Sequence, residues 1–102
     1  MAKVMIQADV PHFDDFYAKF AAQAPIRHHA GELSYAVMCI AERRNQALAL
    51  LDWVDIDAAR EFWDSPAAAT LIQEWNATAP PEITLLLDAE EVLFFAPEDP
   101  IE

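Results

Sequence analysis

Three kinds of side chain in this sequence can do chemistry near neutral pH. They are the adjacent imidazoles of His28 and His29, the phenol of Tyr35, and the indoles of Trp53, Trp63 and Trp75. An imidazole titrates close to neutrality, so one of the two histidines can act as a general base or as a hydrogen-bond donor toward a pocket. The plainer role is a solvated corner with one ring packed on the turn at Gly31. Consecutive side chains diverge in either regular backbone, and the nearest carboxylate, Glu32, is not at ligand spacing. No metal site is therefore expected. The Tyr35 phenol can donate to a ligand oxygen. The three indoles, with Phe16, offer flat apolar walls and N–H donors suited to an aromatic ligand. The alternative for such large rings at helical spacing is simply core. Gln7 and Asp9 lie on the polar side of a strand, at a pocket or at a subunit seam. A single glycine rules out a phosphate-cradling loop, and no nucleophile–base pair is evident from spacing. The lone Cys39, among Val37, Met38 and Ile40, reads as a small buried residue.

The elements that must hold these residues follow from periodicity. Lys3 to Val10 alternates as a strand, and Pro11 stops it. Phe13, Phe16, Tyr17, Phe20 and Ala24 follow a helical period, so a helix is predicted over His12 to Ala24, ended by Pro25. Ile26 to Ala30 is then an irregular turn or short helical tail closed by Gly31. Leu33 to Ala41 and Ala47 to Val54 are nearly all apolar, which predicts strands covered on both faces and joined by the polar hairpin Glu42 to Gln46. After Trp53 and Val54, Asp55 can cap a helix carrying Ala59, Phe62 and Trp63. Ser65-Pro66 restarts it as a second short helix with Leu71, Ile72 and Trp75 inward, and Asn76 stops it. Ala79-Pro80-Pro81 is a rigid connector, Ile83 to Leu87 a further strand, and Val92 to Phe95 a short apolar run.

The order strand, helix, strand, strand, helix, strand gives an α+β, ferredoxin-like βαββαβ fold. Four antiparallel strands form the sheet, with helices on one face. Residues 1–95 are expected to form this single domain and residues 96–102 a loose acidic tail. An apolar fraction of 55% is high for 102 residues, and stacking two sheets across a dyad into a homodimer accounts for it. The formal charge of −12 is uneven: Arg60 is the last basic residue and ten acids follow it. Such a surface repels nucleic acid and anionic membranes. Lys3-Val-Met-Ile is interrupted by Gln7 and Asp9, so it is a strand and not a signal peptide, and no apolar run approaches the ~20 residues of a membrane span. A cytoplasmic location is the expectation.

At this point the chain resembles the dimeric α/β-barrel superfamily, near its antibiotic-biosynthesis-monooxygenase-like and stress-responsive branches, from Val4 to about Leu87. Four segments carry the resemblance: His12-Phe-Asp-Asp-Phe-Tyr17, the Arg27-His-His-Ala-Gly31 corner, Trp53 through Pro66, and Pro80-Pro-Glu-Ile-Thr84. It implies a homodimer with a small-molecule pocket in each subunit between the sheet and its helices. The superfamily's members include cofactor-independent monooxygenases, haem-degrading enzymes, isomerases and peroxidases, so the fold does not choose a reaction. The haem-degrading members hold iron through a His shortly after the Ser of a turn. Counted from Ser65, that position is Ile72, flanked by Leu71 and Gln73, and no His follows His29. Haem is therefore not expected, and no other cofactor is implied.

Two functions are consistent with these residues. One is a cofactor-independent, monooxygenase-like enzyme on an aromatic or polyketide-like substrate, whose polar groups stabilise an enolate or phenolate that reacts with oxygen. The other is a non-catalytic binding or stress-associated dimer holding an apolar metabolite. Val92 to Phe95 is too apolar to stay in water and follows the polar run Asp88 to Glu91, so it is expected to pair with the partner's sheet edge. Truncation after Ala89 should then raise the dimer dissociation constant while leaving helical circular dichroism intact. An unchanged dissociation constant would place the segment within its own subunit.

Overall fold

The computed structural model of the chain describes residues 2–87. The apolar run Val92–Phe95 and the acidic tail 96–102 lie outside the described residues. Eight elements follow in order: β1 (Ala2–Asp9), α1 (Phe13–Ala22), α2 (Ala24–Ala30), β2 (Glu32–Ile40), β3 (Arg43–Trp53), α3 (Ile56–Trp63), α4 (Pro66–Glu74) and β4 (Glu82–Leu87). The strands form one antiparallel sheet in the order β2-β3-β1-β4, the ferredoxin-like arrangement expected from the sequence.

Register decides which side chains face the helices. Val4 lies between Leu51 and Leu85, and Ile6 between Ala49 and Ile83, so these residues share a face. Ala2, Ala8, Ala47 and Trp53 belong to the same buried set. Several inner-face residues are alanines, which leaves depth for large rings from the helices. Phe16, Phe20, Phe62, Trp63 and Trp75 take that space as one buried cluster. The opposite face carries Met5, Leu48, Leu50, Ala36, Met38 and Leu86, and no element among the described residues covers it; Met38 and Leu86 are exposed. The two-sided apolar character of the central strands is thus real in composition, but the described residues bury only one side. Most of β2, an edge strand, is exposed or half-buried.

Two local boundaries differ from the sequence expectation. Pro25 does not end a helix; it sits in the first turn of α2, where its missing N–H would have had no intrahelical acceptor. The hairpin connection is also shorter than Glu42–Gln46. Ile40 pairs with Arg43 across a two-residue turn, with a register shift between Cys39 and Ile40. Arg43 to Gln46 are polar because they form the exposed end of β3. The stops and starts elsewhere follow the sequence. The Asp55 carboxylate accepts from the Ala58 N–H at 2.7 Å. Ser65 Oγ accepts from the Ala68 N–H at 3.3 Å and donates to the Phe62 carbonyl at 2.5 Å. Asn76 ends α4 in the left-handed region, φ 57°.

Ser65→Ala should lower stability by about 1 kcal/mol, the usual cost of an N-cap. Chemical denaturation of mutant and parent checks this, and coincident curves would mean that packing alone restarts the helix.

Candidate ligand-binding site

The aromatic stripe of α1 continues through the helix break. Phe16, Phe20, Gln23 and Arg27 fall at successive turns of one face and are all buried. This places a guanidinium, fully buried, at the corner where α2 meets β2. Arg27 Nε donates to Glu32 Oε1 at 2.7 Å, and Nη1 donates to the Phe20 carbonyl at 2.7 Å. Its Cζ lies 3.7 Å from the Phe20 ring centre and 5.0 Å from that of Tyr35, so the cation is flanked by two aromatic rings. Glu32 is only 3% exposed. Burial pushes its carboxyl above the ordinary value of 4.5, outweighing the hydrogen bond and charge of Arg27 and the charge of His28. Folded Glu32 therefore holds its proton more tightly than the unfolded chain does. That contribution to stability is fully present below about pH 4.5 and is lost as pH rises through the raised value.

Gly31 makes the corner possible. It closes α2 at φ 135°, and its N–H reaches the carbonyls of Arg27 and His28, both at 3.1 Å. A Cβ at this position would lie 2.7 Å from Trp53 Nε1. His28 Nδ1 is 2.8 Å from the Glu32 carbonyl, which can only accept, so Nδ1 is the donor in this contact. The His28 and His29 side chains are exposed. Tyr35, 36% exposed, stands edge-on to Phe20 with ring centres 5.6 Å apart.

The candidate wall residues form one continuous series. Phe16 meets Trp75 edge-on at 5.6 Å, Trp75 lies 6.4 Å from Trp63, and Trp63 lies 6.0 Å from Trp53. Their polar edges differ. Trp75 Nε1 donates to Gln23 Oε1 at 2.8 Å, and Gln23 Nε2 donates to Glu74 Oε1 at 2.9 Å. The indole N–H groups of Trp53 and Trp63, together with Arg27 Nη2, are buried and have no hydrogen-bond partner among the described residues. Tyr35, Trp53, Trp63, Trp75 and Phe16 are thus brought to one layer. His28 meets the α2–β2 corner through the Glu32 carbonyl, and His29 is exposed. Sequence reading missed Arg27 and Gln23, although both continue the Phe16–Phe20 spacing.

An open crevice of about 410 Å³ lies at the far end of the sheet, lined by Asp9, Arg43, Asn45 and Thr78 among others, away from these rings. Another, of about 360 Å³, runs between α1 and α4 and touches Trp75. Among the described residues no group of three or more His, Cys, Asp or Glu side chains can hold a metal ion, and no helix is long and apolar enough to cross a membrane.

No family model and no curated protein matches this sequence. Solved structures do match its fold. A Bordetella bronchiseptica protein, provisionally described as an antibiotic biosynthesis monooxygenase, superimposes with a TM-score of 0.74 at 19% identity, covering 90% of this chain and 97% of its own. SnoaB, a cofactor-independent oxygenase from Streptomyces nogalater, gives 0.69 at 20% identity, covering 95% and 96%. The monooxygenase of the ActVA-Orf6 gene of Streptomyces coelicolor, solved with nanaomycin D, gives 0.65 at 13% identity, covering 92% of each chain. The chain has the fold of the antibiotic biosynthesis monooxygenases. At these identities the likeness concerns backbone architecture, and the side chains above carry the rest.

Removing one partner of a buried ion pair leaves an uncompensated charge. Glu32→Leu, which removes the acceptor oxygens as well as the charge, and Arg27→Met should each cost about 3–5 kcal/mol, while the double variant should recover a large part of that loss. A denaturation cycle over the four proteins checks this, and additive losses would contradict it.

Proposed function

We propose that this chain is a homodimeric, cofactor-independent, monooxygenase-like enzyme that takes a small aromatic or polyketide-like molecule between its sheet and its helices. The observation that carries the reading is the aromatic layer with N–H donors that have no partner among the described residues, set on a fold shared with oxygenases. Buried indole and guanidinium donors suit a planar substrate on which negative oxygen charge develops. In the single chain the rings fill this layer, so a ligand enters by displacing rings. Tyr35 is the ring of this layer most open to solvent.

Self-association is supported by the open sheet face. Met5, Leu48, Leu50, Met38 and Leu86 make an apolar surface that water disfavours, and packing it against a second copy would bury well over ~1,000 Å². The Lys3–Asp52 ion pair, with Ser34 donating to Asp52 at 2.7 Å, supplies a polar rim on the same face. The hydrogen bonds from Lys3 and Ser34 hold the Asp52 carboxyl below its ordinary value of 3.8. The stability it adds is present above that value and is lost as pH falls through the lowered one.

A non-catalytic binding dimer remains the second reading. It is favoured by the fact that Glu32, the buried carboxylate in this layer, is already committed to Arg27. Oxygen uptake separates the two. Purified protein with a panel of hydroxy-aromatic compounds should consume oxygen without added flavin or metal, whereas ligand retention in native mass spectrometry without uptake would support binding alone. Sedimentation should give twice the 11.5 kDa chain mass, and Leu48→Asp should shift it to the monomer. A parent sedimenting as a monomer would sink the dimer.

A further inference from the structure

Resting on the aromatic ligand proposed above, we infer that the ligand enters through the crevice between α1 and α4, and that Trp75 is its gate, latched by Gln23. The crevice, of about 360 Å³, is walled by Asp15, Ala18 and Lys19 of α1 and by Glu74, Trp75 and Asn76 at the end of α4. Trp75 is only 2% exposed, yet it lines this opening and touches three other rings of the aromatic layer. Its ring centre lies 5.6 Å from that of Phe16, 5.7 Å from that of Phe20 and 6.4 Å from that of Trp63. Swinging this one indole outward joins the crevice to the volume it vacates among those three rings.

Its place in the chain lets Trp75 move. It is the C-cap of α4; its N–H donates to the Ile72 carbonyl at 3.1 Å, and the Asn76 N–H donates to that of Gln73 at 3.3 Å. Both bonds span three residues, the tightened last turn of a helix, and Asn76 at φ 57° then leaves the helical path. Such a terminal turn opens at less cost than a helix interior. The polar hold on the indole is the 2.8 Å bond from Nε1 to Gln23 Oε1. Gln23 is itself fixed by donating to Glu74 Oε1 at 2.9 Å and to the Leu71 carbonyl at 3.3 Å, so the latch ties the α1–α2 break to the end of α4. Moving Trp75 breaks a hydrogen bond between neutral groups and ring contacts that an aromatic ligand replaces in kind. Tyr35 is more open to solvent, but it flanks Arg27, and displacing it strips one face from a buried cation. The rim of the crevice sets the carboxylates of Asp15 and Glu74 against the ammonium of Lys19, so an uncharged aromatic molecule passes best.

The test is stopped-flow binding of 2-naphthol, an aromatic molecule uncharged near neutral pH, to the full chain, followed by tryptophan fluorescence. A gate changes the association and dissociation rates by one factor and leaves the dissociation constant alone. Gln23→Leu, which removes the latch, should speed both rates about 10-fold, the order expected from one lost buried hydrogen bond. Ala18→Cys, made together with Cys39→Ser and labelled with a maleimide bearing a short polyethylene glycol chain, should slow both by an equal factor. The same label on Ala67→Cys, exposed at the other end of α4, should change neither. If Gln23→Leu fails to fold by circular dichroism, the label on Ala18→Cys decides. Unchanged rates with that label, or in a folded Gln23→Leu, overturn this inference and leave the aromatic-ligand reading standing. A label that weakens equilibrium binding without slowing association makes the crevice the site and not the way in, which also overturns it. Failure of the parent to bind 2-naphthol sinks both.

Discussion

The fold depends on a cation where a small domain can least easily keep one. Arg27 is fully buried, and it is held there by a carboxylate, a main-chain carbonyl and two aromatic faces. Burying a lone guanidinium would cost several kcal/mol; pairing and stacking offset most of that without making the pair a large net stabiliser. What the arrangement does secure is geometry. The pair ties the end of α2 to the start of β2, next to the register shift between Glu32 and Ser34. The aromatic layer is aligned by the same clamp, because Phe20 contributes both its carbonyl and its ring to Arg27 and also touches Phe16, Trp75 and Tyr35.

Around that clamp the molecule divides its two sheet faces unequally. The inner face combines small strand residues with large helix residues, a division of volume that lets four short helices close over four strands. The outer face repeats the apolar content, and nothing among the described residues covers it. With −12 charges on a chain of this size, long-range repulsion between copies has to be overcome locally. The acids largely avoid the centre of this face, whose polar groups are gathered at the Lys3–Asp52–Ser34 rim and near Gln7.

Much of this was legible from residue order. Asp55, Ser65-Pro66 and Asn76 are local signals, read by neighbouring backbone groups, and each marks an element boundary where the sequence places it. The alternation of Val4, Ile6 and Ala8 fixes a face in the same local way. Pro25 was misleading because a proline disrupts a helix interior but fits a first turn, and only the break at Gln23 decides which applies. Arg43 to Gln46 looked like a loop because polar residues at a protruding strand end resemble turn residues. The site was harder. The residue types in the aromatic layer are visible in the sequence, but with Ile26 to Ala30 read as an irregular turn or short helical tail, nothing local marks Arg27 as buried; its partners are set by the fold. The difference between the Trp75 indole, satisfied by Gln23, and those of Trp53 and Trp63 depends on residues far apart in sequence.

The run of touching indoles has an optical consequence. Trp53 and Trp63 stand 6.0 Å apart at 61°, and Trp63 and Trp75 stand 6.4 Å apart at 48°. At such spacings the electronic transitions of neighbouring chromophores mix, and inclined pairs rotate polarised light in paired bands of opposite sign. No tryptophan lies elsewhere in the chain to dilute that signal. The protein therefore carries a spectroscopic gauge inside its own aromatic layer. The far-ultraviolet couplet reports on ring geometry alone, so any event that parts these rings, by heat, acid or an entering molecule, registers even when every helix and strand stays formed.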